Sequence, residues 1–304
     1  MRWPTACSVE SLRRRLDEVE STADRAALAA NDPIQFPRRY ARRGDREVAA
    51  IFSAVLAFGR VDLFRPVLAE IFDDLDQSGG PEAALHPKFH RPRWSSLYYR
   101  WTRGADLAIL GGAIARLQTT GIETSFHGAN AREALVSGID TLRAAAVEEA
   151  KSQGFRIDGF SALPRGLRVL LPSPTDGSAC KRWNMFLRWM VRADDGVDLG
   201  LWQTLSPARL IIPLDVHVGR IARFVGLTRR TDASWRTAEE VTNGLRAVDA
   251  QDPVRFDFAL AHLGISQGCT GRFQAATCPT CPLFSVCEIG SQRIQGAHAD
   301  ASHL

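Results

Sequence analysis

Lysine is nearly absent from this chain. Of its 38 basic residues only Lys88, Lys151 and Lys181 are lysine, and the rest are arginine. Scarcity on that scale singles out each lysine for attention. No uninterrupted apolar run reaches the length of a membrane span. The first thirty residues carry Arg13-Arg14-Arg15 among acidic side chains where a secretory signal would need an apolar core. A soluble, cytoplasmic protein is expected. Also missing are an alternating strand pattern, an internal repeat and a low-complexity tract, so helical periodicity is the only regular signal left.

What is present is globular. Apolar residues make up 45% and charged residues 24% of 304 residues, enough for one large domain or two modest ones. A formal charge of +4 permits a nucleic-acid partner without demanding one. Helices are predicted over 8–29, 45–58, 61–75, 104–118, 130–152, 161–171, 181–193, 216–225, 236–248 and 253–263. A Pro- and Arg-rich loop is expected at 32–43. The fold class is all-α.

Four of the six cysteines, Cys269, Cys278, Cys281 and Cys287, fall within nineteen residues in a C-x8-C-x2-C-x5-C pattern. Four clustered thiolates suit an iron–sulfur cluster or a structural zinc, and their number does not choose between the two. Disulfides are disfavoured by the reducing compartment. Cys7 and Cys180 are isolated and read as ordinary thiols.

Lys181 opens the helix at 181–193 after a turn, Pro172-Ser173-Pro174-Thr175-Asp176-Gly177-Ser178. A helix N-terminus disfavours a positive charge and so favours the neutral, nucleophilic amine. A solvated surface lysine is the bland alternative. Helical spacing puts Lys181, Met185, Arg188 and Arg192 on one face, with Trp183, Phe186, Leu187 and Met190 packing inward from the other. Asp215, in Pro213-Leu214-Asp215-Val216-His217, stands where an N-cap is needed for the run ending at Gly226. Capping alone would account for it, yet a capping carboxylate stays ionised and could face an amine.

In this order, the Lys181 turn, the Pro-Leu-Asp-Val-His run and the four-cysteine cluster resemble the helix-hairpin-helix DNA glycosylases. Endonuclease III and the adenine glycosylase carry such a cluster, and the 8-oxoguanine glycosylases a very similar Pro-Val-Asp-Val-His. Phe256-Asp257-Phe258-Ala259-Leu260-Ala261-His262-Leu263-Gly264 is similar to the helix before the first cluster cysteine of endonuclease III, and Ala49 to Asp62 to an early helix ending at a DNA-probing loop. Phe186-Leu187-Arg188-Trp189-Met190-Val191-Arg192 also resembles an uncharacterised bacterial branch. The likeness spans roughly residues 32–290. Three departures stand out. The usual Leu-Pro-Gly-Val-Gly hairpin is replaced by Leu171 to Gly177, the stretch Asp194 to Leu205 is inserted between Lys181 and Asp215, and the first cysteine spacing is eight residues in place of six.

The resemblance implies a two-domain helix-hairpin-helix glycosylase-like fold with an iron–sulfur cluster loop. Residues 1–104 would complete the cluster-side domain and 105–235 form the central domain. Residues 236–290 would add the last helices and the cluster loop, and 291–304 a disordered tail. It further implies a monomeric, nucleoid-associated DNA glycosylase and abasic-site lyase that excises an oxidised purine from double-stranded DNA. Lys181 and Asp215 would be catalytic. Arg60, Arg188, Arg192 and His217 would contact DNA, Arg60 by filling the gap left by the flipped base. Asp257 would bond the base edge, a plain surface carboxylate being its alternative. Cys269, Cys278, Cys281 and Cys287 would hold a [4Fe–4S] cluster, or alternatively zinc. A competing class is a non-catalytic iron–sulfur DNA-binding or sensing protein. A third reading is a zinc protein acting on RNA.

Overall fold

The computed structural model describes residues 8–86, 92–266 and 268–293. These are mostly helical. The chain begins with α1 (Val9–Thr22), α2 (Arg25–Ala29), α3 (Gln35–Arg38), α4 (Arg43–Leu56), α5 (Val61–Asp76) and α6 (Pro81–Ala84). After a small hairpin of β1 (Tyr98–Tyr99) and β2 (Thr102–Arg103) come α7 (Gly104–Gln118), α8 (Ile122–Ser125), α9 (Ala131–Ser152) and α10 (Arg165–Arg168). The last named helices are α11 (Lys181–Val191), α12 (Val216–Phe224), α13 (Trp235–Val248) and α14 (Asp257–Ser266), with a further helical stretch at 288–293. Among the described residues, no helix is long and apolar enough to cross a membrane.

Several boundaries differ from the sequence expectation for identifiable reasons. The expected helix 8–29 divides at Ala23, because the Asp24 carboxylate accepts the Ala27 N–H at 3.0 Å and starts α2. The loop at 32–43 contains the single turn α3. The 161–171 helix is split by Pro164 into a 3-10 turn, Phe160–Ala162, and α10. The last predicted helix starts at Asp257, four residues late. The expected absence of strands is corrected by the two-residue pairing of Tyr98 with Arg103 and Tyr99 with Thr102, too short to leave an alternating pattern. The expected tail from 291 is corrected at its start, since 291–293 are helical and Ser291 is buried. Its remainder, 294–304, lies outside the described residues, as do Cys7 and Lys88.

The middle of the molecule is α4. From Val48 to Leu56 every residue is buried, as befits a helix without a polar face. It packs on α11, whose residues Trp183 to Val191 are likewise all buried. Trp183 and Phe186 join Phe126 and Trp202 in an aromatic group with centroid separations of 5.2 to 5.9 Å. The long pair α7 and α9 lies alongside, α9 being started by the Asn130 cap. The two ends of the chain meet where α1 packs on α13 and α14.

Gly104 joins the hairpin to α7 directly beneath Trp94. A Cβ there would stand 1.5 Å from the Trp94 carbonyl oxygen, a backbone atom with no freedom to swing aside. Gly104→Ala should therefore lower stability by about 2–3 kcal/mol or more, read as a shifted denaturant midpoint with an unchanged slope. A midpoint equal to the parent's would contradict this packing.

Candidate active site

The end of α4, the start of α11, the start of α12 and one face of α14 surround a pocket of about 810 Å3. That volume lies within the usual range for small-molecule sites. Lys181, Arg182, Met185 and Arg188 line it from α11, and Asp215 and His217 from the head of α12. Asp257, Phe258 and His262 come from α14, and Phe58 and Gly59 from the loop after α4.

Lys181 reaches this position through an unusual backbone. Ser173 and Asp176 close the preceding turn on each other, the Asp176 carboxylate accepting the Ser173 N–H at 2.8 Å, and Gly177 takes φ 78°. Cys180 then caps α11 at φ 46°, ψ 41°, a left-handed conformation that a side chain disfavours. Its buried thiol is pushed up to about 12, chiefly by desolvation. Lys181 follows, half-buried, and among the described residues it forms no ion pair.

Asp215 caps α12 with one oxygen, which accepts the N–H groups of His217 and Val218, both at 2.8 Å. Two residues on, the His217 Nδ1 is buried with no hydrogen-bond partner among the described residues. The ring packs against α14 at Gly264, where an added Cβ would come within 2.8 Å of the His217 Cβ.

Arg188 and Arg192 require correction as DNA contacts. Both are buried and ion-paired with carboxylates. The Arg188 Nε donates to Asp198 at 3.0 Å and its Nη1 to Asp257. Arg192 donates to Asp252 at 2.8 Å, to Asp195 at 2.9 Å and to Asp198. Burial opposes both arginine charges, but the surrounding carboxylates outweigh it and hold each pKa above the ordinary value. Helical spacing puts the two on the Lys181 face, but at Arg188 and Arg192 that face meets the carboxylates of Asp195 and Asp198, of Asp252 before α14 and of Asp257 at its start.

The surface alternative for Asp257 is corrected in the same way. Asp257 is buried, bound to Arg188, and aligned with the pocket. Its carboxyl is pushed up to about 6 by burial and by the Asp215 charge, against the pull of Arg188 and Lys181. Asp257 is thus within electrostatic reach of both Lys181 and Asp215. Arg60 stands at the rim, between the lining residues Gly59 and Val61, exposed and paired with Asp62 at 3.0 Å.

His262 is a pocket residue that sequence reasoning passed over. Its ring lies tilted against that of Phe258, the centroids 4.4 Å apart, and faces Asp32 at 3.9 Å, and burial first of all lowers its pKa. The available signal was its place one turn after Phe258, on the stripe that carries Ile265.

The four cysteines line a separate, mostly apolar cavity of about 60 Å3. Backbone N–H groups point at the sulfurs: Gln274 donates to Cys278 Sγ at 3.2 Å, and Leu283 and Ile289-Gly290 serve Cys281 and Cys287. Among the described residues, no three His, Cys, Asp or Glu side chains stand close enough to hold an ion as they are. The donor set and its N–H groups nevertheless suit a thiolate-bound metal, since hydrogen bonds to sulfur are a feature of such centres.

Residues 32–266 match a family described as a protein of unknown function (DUF2400), and over that much of its length the chain belongs to it. No curated protein and no solved structure matches the chain.

The buried carboxyl of Asp257 should leave a pH signature. In the unfolded chain it titrates near the ordinary 3.8, and in the folded protein near 6. The folded state therefore binds the extra proton across that window, so this group's contribution to stability declines as pH rises from about 4 to about 6. The stability of the parent minus that of Asp257→Asn should decline across that range and level off above about pH 7. A difference that rises with pH would mean that Asp257 is ionised throughout.

Proposed function

We propose that this member of the DUF2400 family is a DNA glycosylase with lyase activity, acting on a damaged base through a Schiff base on Lys181. The observation that carries the reading is that Lys181 and Asp215, 34 positions apart on two helices, line one pocket large enough for a nucleoside. A duplex buries its bases, so the damaged nucleotide would be flipped out of the stack to enter. The neutral Lys181 amine attacks C1′ of the sugar as the C1′–N bond breaks, and the base departs with the bonding electrons and takes up a proton. Asp215 stabilises the positive charge that develops on the sugar and helps deprotonate the amine. Opening of the sugar ring gives the imine, and loss of a C2′ proton then expels the 3′ phosphate by β-elimination. Asp257 and His262 supply polar edges for reading the base, with Phe258 beside them. An oxidised purine remains the expected substrate, by analogy with the Pro-Val-Asp-Val-His enzymes alone. The two-part domain division and the absence of a partner subunit belong to the same reading.

The four cysteines would hold a [4Fe–4S] cluster, with zinc as the alternative. The group would shape the loop and take no part in the chemistry. Cys278→Ser or Cys281→Ser should abolish the bound metal, measured as iron and zinc content together with visible absorption of anaerobically purified protein, and should expose 268–293 to protease. Parent protein free of both metals would remove this part of the reading.

A non-catalytic DNA-binding or sensing protein remains the competing class, favoured by the replacement of the glycine-rich hairpin. Borohydride reduction on lesion-bearing or abasic duplex DNA separates the two, since only a Schiff-base enzyme becomes covalently fixed. Lys181→Gln should abolish trapping and strand cleavage while lowering DNA affinity little, because a single charge is a small part of a multi-contact interface. Asp215→Asn should slow cleavage by about 100-fold or more with little change in melting temperature, since Asn remains a good cap. Lys151→Gln is the control, its amine being paired with Glu148 on the far end of α9. Undiminished trapping by Lys181→Gln would end the proposal.

A further inference from the structure

The β1–β2 hairpin displays side chains that neither the fold nor the pocket chemistry requires. Tyr98 is 54% and Trp101 48% exposed, in a molecule whose other described tryptophans are buried. Arginines stack on both rings: the Arg103 guanidinium lies 4.1 Å from the Tyr98 centroid and that of Arg165, on α10, 4.9 Å from the Trp101 centroid. Among the described residues, neither these two arginines nor Arg100 at the hairpin tip forms an ion pair with a carboxylate. Other surface arginines, among them Arg25, Arg39, Arg42, Arg43 and Arg255, do.

The turn itself is ill suited to being only a turn. Arg100 adopts φ 53°, in a two-residue connection where glycine or asparagine is the usual choice. Placing Arg-Trp there forgoes about 1 kcal/mol of backbone preference and projects a cation and an indole from the tip. The hairpin also stands on the rim of the pocket. The Tyr99 hydroxyl donates to the Phe58 carbonyl, and the Arg100 guanidinium and Tyr99 hydroxyl crowd Gly59 so closely that a Cβ there would meet them at 2.6 and 2.8 Å. Phe58 and Gly59 both line the pocket.

We infer that this hairpin is a nucleic-acid-binding element. Tyr98 and Trp101 stack on unpaired bases beside the pocket mouth, and Arg100, Arg103 and Arg165 neutralise the phosphates of the same strand. Unpaired cations interleaved with exposed aromatic rings are complementary to a polyanion whose bases have been unstacked, and an acidic or purely apolar protein surface would use only one half of that set. The inference rests on the proposed function only in taking DNA as the partner. It adds a binding surface to which the lysine chemistry is indifferent.

Binding would be read by fluorescence anisotropy on a duplex carrying a tetrahydrofuran abasic analogue, with every protein in the Lys181→Gln background. Tyr98→Ala/Trp101→Ala should weaken binding about ten-fold or more, and Tyr98→Phe/Trp101→Phe should restore it. Arg100→Ala/Arg165→Ala should reduce the slope of log affinity against log salt by about two. If the double alanine variant, with an unchanged melting curve, binds the duplex as its parent does, the hairpin is not a DNA element. The same holds if that variant loses only self-association measured by light scattering. Borohydride trapping with Lys181 intact keeps the two ideas separate. Failure of trapping together with loss of affinity in the hairpin variants ends the lyase reading and leaves the hairpin standing. Successful trapping together with unaltered binding by those variants ends the hairpin proposal alone.

Discussion

The pocket depends on a buried ionic network centred on Arg188 and Arg192. Two guanidinium groups one helical turn apart repel each other, and taking them out of water costs several kcal/mol apiece. Asp198, fully buried, bridges them, while Asp257 and Asp252 satisfy their outer sides. Such a network adds little net stability but tolerates few alternative arrangements, because a single misplaced member leaves a buried charge unpaired. Its effect is to lock α11 against the start of α14. Lys181 and Asp257, on different helices, are thereby held on the same pocket wall.

The network also accounts for the stretch Asp194 to Leu205 that separates Lys181 from Asp215 in the chain. It provides Asp195 and Asp198 to the arginines of α11. Asp194 and Asp195 further receive Arg38 and Arg25 from the N-terminal helices, and the Trp202 indole donates to Glu47 of α4 at 2.7 Å. The segment is thus a clasp across three parts of the fold. A second coupling runs along α12. Asp215 caps its head at the pocket, Arg220 donates from its middle to the Cys269 carbonyl, and Phe224 near its end lines the cysteine cavity. Any ordering of the cysteine loop is therefore felt by the helix that positions the carboxylate.

What the sequence disclosed follows from how local each signal is. Asp215 was readable because a cap and its helix are adjacent in the chain, and Gly226 ends the same segment. The cysteine spacing and the scarcity of lysine needed no folding at all to be noticed. Arg188 and Arg192 were misplaced because a helical wheel treats arginine as a mark of solvent, and the carboxylates that overturn that rule include Asp252 and Asp257, 60 and 69 residues away. His262 was overlooked for a related reason, since it matters only once Asp32 and Phe258 surround it. The hairpin escaped because strands of two residues have no period to detect.

Local strain adds a last constraint. Among the described residues only Arg100 and Cys180 combine a side chain with a left-handed backbone; Cys180 immediately precedes the pocket residue Lys181, and Arg100 packs on the pocket residue Gly59. Cys180 is held by the Ser178 hydroxyl, which accepts its N–H at 3.1 Å, and by the Asn184 amide, which donates to the preceding carbonyl at 2.9 Å. Arg100 is held against Gly59, itself at φ 82°. A non-glycine residue persists in such a conformation only where its surroundings over-determine it. Two such positions on the approaches to one cavity mean that the lysine-bearing helix and the hairpin are both set by contacts specific to this site. Neither could be idealised without moving a side chain that faces the pocket.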